Sequence, residues 1–234
     1  MMSTSSESTQ DWEQGMYHAL QPIFSQKTCP SGERVFETLG KLETRIQKEN
    51  KTMLYPSVLK LAYLELTGRL RLVYDEEAAT AFAESVGNWP AFPDSAEALG
   101  RLHDMGLKLI ILSNVDTASF QESRKKLETG WGKFDAVYVA EDIGTYKPDL
   151  RNFHYALHHL EAEFGIDARD VLCVANSRYH DIQPARKIGI QTTWINRADN
   201  IMGVMGHESD AAPPHYTFRT MAEFADEMQR LREE

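Results

Sequence analysis

From Asp11 to about Asn88 apolar residues recur at three- and four-residue spacing: Trp12, Met16, Ala19-Leu20 and Ile23, then Val35-Phe36, Leu39, Leu42 and Ile46, then Val58-Leu59, Ala62-Tyr63 and Leu66. That period predicts a series of amphipathic helices. Pro56 suits the first turn of the third, and Gly68 is placed to close it. Asp75-Glu76-Glu77 puts negative charge at the start of a fourth helix reaching Val86. After Pro90 and Pro93 the pattern changes to short apolar runs at Leu107–Leu112, Asp135–Ala140, Val171–Ala175 and Gln191–Ile195. Helical stretches over about 95–105, 117–128, 152–164 and 182–187 separate them, with Gly106, Gly165 and Gly189 before strands. His215–Phe218 predicts a short edge strand before a C-terminal helix from about Thr220. Apolar strands alternating with helices predict a parallel sheet covered on both faces. The expected organisation is a helical unit over 11–90 and an α/β unit over 91–234. Residues 1–10, rich in Ser and Thr, are expected to be a disordered or weak strand segment.

The 234 residues, 42% hydrophobic, suffice for one core domain with a modest cap. A net charge of −10, from 35 acidic against 25 basic residues, argues against nucleic acid and an anionic membrane as partners. A small anionic or hydrophobic substrate stays open, because a local cationic pocket fits inside an acidic protein. Cys29 and Cys173 have no metal-type spacing, and Cys173 reads as a buried thiol in an apolar strand. No apolar stretch is long enough to span a bilayer, and the N-terminus lacks the apolar centre of a secretory signal. Reducing cytoplasm is the expected location.

In such a sheet ligands bind beyond the carboxyl ends of the strands. Ser113 and Asn114, Lys147, and Asp181 all follow strand candidates and are expected to meet there. Ser113-Asn114 at a helix start would cap the helix and donate hydrogen bonds to an anion. Lys147 before a proline reads as a solvated surface residue when taken alone, and as half of a buried charge pair if it meets Asp181. His180 has two readings: support of local geometry, or a general acid or base oriented by Asp181. His154, His158 and His159 invite a metal reading, but no third ligand follows at suitable spacing, so packing is expected. Tyr17, Phe36, Tyr55 and Tyr63 are expected mostly in the core of the helical unit, with some lining the cleft.

Three stretches in order carry a resemblance: Ile111-Leu112-Ser113-Asn114, Tyr146-Lys147-Pro148, and His180-Asp181 after Val171–Ala175. Longer phrases accompany them: NWPAFPD from Asn88, SNVDTASF from Ser113, YKPDLRNF from Tyr146 and SRYHDIQPA from Ser177. Over roughly residues 11–230 the chain resembles the haloacid dehalogenase superfamily, most closely its 2-haloacid dehalogenase-like branch and fungal members of it. The resemblance implies a Rossmann-like core with an all-helical cap. It also implies that Ser113 and Asn114 hold a substrate carboxylate or phosphate and that Lys147 orients a nucleophile. Arg197, after Trp194-Ile195-Asn196, matches a family phrase and would pair with a carboxylate near the cleft.

The family's first motif delivers a nucleophilic Asp from a central strand. Aligned on the Asp11-Trp12 pair, that Asp falls near Thr4 and the motif's Thr near Ser8, and MMSTSSESTQ contains no Asp. A threonine hydroxyl does not replace a carboxylate that forms an ester intermediate. Ser3–Thr9 is also a poor central strand. Either it fills the slot weakly, its neighbours close up, or another chain supplies a strand, and an unfilled slot would orphan backbone groups at roughly 1–3 kcal/mol each. The metal-dependent relatives draw ligands from that first motif, so no metal or other cofactor is expected.

Three functions follow as expectations. One is an enzyme that kept the cleft and performs non-hydrolytic acid–base chemistry with Lys147, His180 and Asp181, such as isomerisation, elimination or cyclisation of a small organic, in a fungal biosynthetic setting by resemblance. Another is a binding or regulatory subunit completed by a partner or a second copy. The third is a conventional 2-haloacid or phosphate-ester hydrolase represented by a truncated product.

Overall fold

The computed structural model describes residues 2–4, 9–197 and 212–234. Six strands form one sheet: β1 (Met2–Thr4), β2 (Leu109–Ser113), β3 (Ala136–Val139), β4 (Leu172–Ala175), β5 (Gln191–Ile195) and β6 (Tyr216–Phe218). Every neighbouring pair is parallel, and the order is β3-β2-β1-β4-β5-β6. This is the doubly wound arrangement in which the chain order reverses at the sheet centre.

The central slot is filled. Thr4 lies in register with Ile111 on one side and Val174 on the other. The three-residue Met-Ser-Thr strand contributes its backbone where the apolar pattern argued least for a strand. Pairing on both sides stabilises it, because the alternative is to orphan ladder groups on both β2 and β4.

The other strands follow from their apolar runs. All five residues of β2 are buried, and alternate ones face opposite layers. Leu109 and Ile111 pack with Val174 and Ile195 against helices α6 (Ser95–Asp104), α7 (Thr117–Leu127) and α11 (Met221–Glu233). Ile110 and Leu112 pack with Cys173 and Ala175 against α9 (Leu150–Phe164) and α10 (Gln183–Lys187), while the short α8 (Ala140–Ile143) follows β3. Gly165 ends α9 at φ 66°, a left-handed turn that a Cβ would strain.

The cap consists of α1 (Trp12–Ala19), α2 (Gln21–Phe24), α3 (Gly32–Glu49), α4 (Tyr55–Leu70) and α5 (Glu76–Glu84). Asp11, Ser31 and Asp75 accept hydrogen bonds from backbone N–H groups in the first turns of α1, α3 and α5. Leu39, Leu42 and Ile46 of α3 meet Val58, Leu59, Tyr63 and Leu66 of α4, with Phe82 of α5 completing the layer. Contrary to the sequence expectation, Gly68 does not close α4. The helix continues to Leu70 and ends on Arg71, which takes the left-handed conformation at φ 55°.

Two strands of chain join cap and core, and they are tied together. Asp11 N donates to Pro90 O at 2.8 Å, Phe92 N to Thr9 O at 3.0 Å, and Ser95 Oγ to Thr9 O at 2.8 Å. Beside this junction a Cβ on Gly15 would lie 2.3 Å from the Trp89 ring. The ring is buried and its Nε1 donates to Ser85 Oγ at 2.9 Å, so it has little room to yield. Gly15→Ala is therefore expected to lose about 1–3 kcal/mol by overpacking, despite the better helix propensity of Ala. Urea unfolding measures it, and an unchanged or raised midpoint would show that the ring moves freely.

Candidate functional site

β1, β2 and β4 end side by side at the reversal point of the sheet, where open α/β sheets hold ligands. Ser113 is the last residue of β2 and is buried, with Val115 N 3.4 Å from its hydroxyl. The expectation that Ser113-Asn114 caps the following helix is corrected here. Asp116 caps α7, accepting from Ser119 N at 3.0 Å. The Asn114 amide instead grips the backbone of Lys147: its Oδ1 accepts from Lys147 N at 2.7 Å, and its Nδ2 donates to Lys147 O at 3.1 Å. That clamp holds the loop after α8 against the end of β2.

Lys147 is therefore not a surface lysine. It is 1% exposed, and its Nζ donates to Asp181 Oδ1 at 2.6 Å and to Leu112 O at 2.8 Å. Asp181 is 2% exposed. Neighbouring residues tie the same loop to the cap. The Tyr146 hydroxyl donates to Met53 O, and burial pushes that phenol above its ordinary range. Lys51 of the cap pairs with Asp149 at 3.4 Å.

His180 lies in a single wide turn after β4, closed by Ile182 N donating to Ser177 O at 3.2 Å across five residues. Such turns recur at functional sites because they re-aim one side chain. Ser177 Oγ accepts from His180 N at 3.1 Å and lies 3.1 Å from His180 Nδ1. The residue is partly exposed, yet its Nε2 is buried with no hydrogen-bonding partner among the described residues. Burial pushes the imidazole down to about 4, with Asp181 opposing the shift and Lys147 adding to it. His180 is thus neutral at pH 7.

Ser113, Asn114, Ser177 and His180 line the floor of a cavity of about 490 Å³ whose walls come from the cap and the junction. The walls include Trp12, Met16, Tyr55 and Trp89, with Tyr179 from the core and Lys41, Glu43, Arg45 and Lys48 of α3. This volume lies in the usual range for small-molecule sites. Lys147 and Asp181 are not among its lining residues; they sit beneath, joined to it through Asn114 and His180. Of the four cap aromatics, Tyr55 reaches the cavity, while Phe36 and Tyr63 are buried in the cap and Tyr17 is about half exposed.

Arg197 is placed elsewhere. Its Nη1 pairs with Asp94 Oδ1 at 2.9 Å, and the guanidinium stacks 3.7 Å from the Phe92 ring centroid. Burial pushes its pKa down and the Asp94 hydrogen bond pushes it up. Asp94 also accepts from Ala222 N at 3.1 Å, so this carboxylate ties the junction to α11. The carboxylate that Arg197 meets is thus the protein's own. His159 pairs with Glu163 at 2.6 Å and stacks on Tyr155 with ring centroids 4.3 Å apart, as a packing role requires. Among the described residues no group of three or more His, Cys, Asp or Glu is arranged to hold a metal ion. Among them, too, no helix is long and apolar enough to cross a membrane. Ser8, aligned with the family's motif Thr, lies outside the described residues.

Sequence reasoning did not single out Trp12 as a wall, nor Ser177, Tyr179 and Trp89. Trp12 reads as one apolar position of the first amphipathic helix and as half of the Asp11-Trp12 pair. Only its position at the junction between the two units brings it to the cavity.

The comparisons with known proteins agree with this architecture. The family described as haloacid dehalogenase-like hydrolase matches residues 10–189. The (S)-2-haloacid dehalogenase of Pseudomonas putida is 29% identical over 157 residues, covering 67% of this chain and 64% of that enzyme. (S)-2-haloacid dehalogenase 4A of Burkholderia cepacia is 31% identical over 143 residues, covering 60% and 53%. The chain thus spans less than two thirds of the length of these curated relatives. The L-2-haloacid dehalogenase of Xanthobacter autotrophicus with chloropropionic acid covalently bound superposes at a TM-score of 0.78 with 17% identity, over 97% of each chain. With three quarters of its length matched and the same fold throughout, the chain belongs to the haloacid dehalogenase-like hydrolase family.

Proposed function

We propose that this family member uses its cap–core cleft for proton transfer on a small organic molecule, and not for hydrolysis through an aspartyl ester. The observation that carries the reading is His180. It lines the cavity, is held at Nδ1 by Ser177, and leaves a buried Nε2 without a partner among the described residues. A neutral imidazole so placed is suited to give or take a proton. What supports the reading is the sequence: counted from Asp11-Trp12, the family's Asp would fall near Thr4, and a threonine hydroxyl cannot form a carboxylate ester.

The other residues have supporting parts in this reading. Ser113 and the remaining amide hydrogen of Asn114 offer hydrogen bonds to a substrate oxygen. The Lys147–Asp181 pair lies below the cavity floor. Through Asn114 it fixes the strand end, and through its charges it holds the field around His180. Lys147 and Asp181 are positioning residues, while His180 is the catalytic one. Isomerisation, elimination or cyclisation fits such a set, since each needs a moved proton and a stabilised oxygen and none needs a carboxylate nucleophile.

The named activity of the curated relatives supplies the contrast. In D2O the protein is expected to exchange the acidic C–H of small carbonyl compounds, read by proton NMR, while releasing no chloride from (S)-2-chloropropionate. Steady chloride release by the 234-residue chain would defeat the proposal in favour of hydrolysis.

A further inference from the structure

The protein has four tryptophans. Three of them spend their indole N–H within the fold: Trp89 donates to Ser85 Oγ at 2.9 Å, Trp131 to Leu127 O at 2.5 Å and Trp194 to Asn176 O at 2.7 Å. Trp12 differs. Its Nε1 is buried without an acceptor among the described residues, and the residue lines the large cavity. An indole N–H can only donate, and a buried one ordinarily finds a partner.

His180 adds a second buried polar atom on the opposite, core side. Ser177 Oγ accepts from His180 N and keeps a second lone pair for a hydrogen on Nδ1 at 3.1 Å. With that hydrogen on Nδ1, as the proton-taking role proposed above requires, Nε2 is an acceptor with no partner among the described residues. A buried donor on Trp12 and a buried acceptor on His180 therefore border one cavity. Its walls between them are largely apolar, from Met16, Trp89, Val115 and the Tyr179 ring. The cap cations at its mouth are largely engaged or solvated: Arg45 pairs with Glu49 and Glu65, Lys41 pairs with Glu37, and Lys48 is exposed.

We infer that Trp12 is a substrate-positioning donor, and that the molecule taken by this cleft is a flat aromatic carbonyl compound whose oxygen accepts from its indole N–H. The inference rests on the cap–core cleft being the working site, as proposed above, and it deepens that reading by naming the ligand's chemistry. Acceptor oxygen satisfies the buried indole donor, an aromatic body fills the apolar space between Trp12 and Tyr179, and the volume exceeds what a three-carbon acid would fill. A ligand without the oxygen leaves the indole N–H buried and unmet, which is the physical basis of discrimination.

The test compares two probes of one shape, 2-acetylnaphthalene and 2-isopropenylnaphthalene, which differ by C=O against C=CH2. Equilibrium dialysis with the whole protein is expected to show the ketone bound about tenfold more tightly or better. In Trp12→Phe that preference falls to near unity while the hydrocarbon binds as before. Independently, the Trp12 indole resonance of the unmodified protein is expected to shift downfield with the ketone and not with the hydrocarbon, which keeps the test alive if the variant fails to fold. A ketone preference that survives Trp12→Phe, or an indole resonance indifferent to the carbonyl, overturns the assignment of Trp12 alone. Failure of both probes to bind overturns the cleft reading beneath it as well.

Discussion

Lys147→Met is expected to destabilise the fold by about 3–5 kcal/mol, the usual cost of leaving one partner of a buried ion pair behind. The magnitude follows from the surroundings of the pair. Lys147 and Asp181 are 1% and 2% exposed and 2.6 Å apart, so Asp181 cannot recover hydration when the ammonium is removed. The Leu112 carbonyl loses its Lys147 donor at the same time. The paired variant Lys147→Met/Asp181→Leu removes both charges and should regain most of the loss, since a well-packed apolar replacement of a buried pair is often neutral. Chemical denaturation of the four proteins forms the cycle that isolates the coupling. A single variant within 1 kcal/mol of the parent would mean that the two charges are hydrated or replaceable in place. The same outcome would remove the argument that they stiffen the floor of the cleft.

His180→Ala should lower proton-exchange turnover by roughly 10²–10⁴-fold, the usual contribution of a positioned acid or base. The effect should appear in kcat with little change in the melting temperature at pH 7, because the neutral ring makes few bonds. The pH dependence carries a second signature. With the imidazole pushed down to about 4, the free protein keeps a neutral His180 across the physiological range and loses it only as pH falls toward 4. The acid limb of kcat/KM is therefore expected near pH 4 and not near 6.5. Stability changes in the same direction. Between 6.5, the ordinary value, and about 4 the unfolded chain binds this proton and the folded one does not. Stability from this group is complete above 6.5, declines as pH falls through that window, and is fully lost below 4. An acid limb that stays at 6.5, or one unchanged in His180→Ala, would remove His180 from the reaction.

Both predictions turn on a floor assembled from three separated stretches of chain, and each stretch was visible in the sequence to a different degree. The small polar pair after the Leu109–Leu112 run and the Lys147-Pro148 and His180-Asp181 positions were legible because they follow apolar runs at strand ends. Their arrangement was not. Asn114 reads locally as a cap, yet Asp116 takes that role and Asn114 turns to the Lys147 backbone. Arg197 reads as the partner of a carboxylate near the cleft, and the fold gives it the protein's own Asp94, some hundred residues earlier in the chain. Gly68 reads as a helix end, while packing of α4 carries the helix past it. In each case a contact distant in sequence outweighed a local preference worth about 1 kcal/mol or less.

What the order of residues determined by itself was periodicity and its consequences. These are a helical cap from about Asp11 to Asn88, apolar strands buried on both faces, helices between them, and polar residues waiting at the strand ends. Local spacing suffices for this because the 3.6- and 2-residue periods are properties of the backbone. Only the tertiary structure decided that Met2–Thr4 lies at the centre of the sheet, that Lys147 is sealed from water, and that Trp12 and His180 border one cavity. Each of these depends on two neighbours brought in from opposite ends of the chain, and pairing energy of that kind leaves no periodic mark on the segment that receives it.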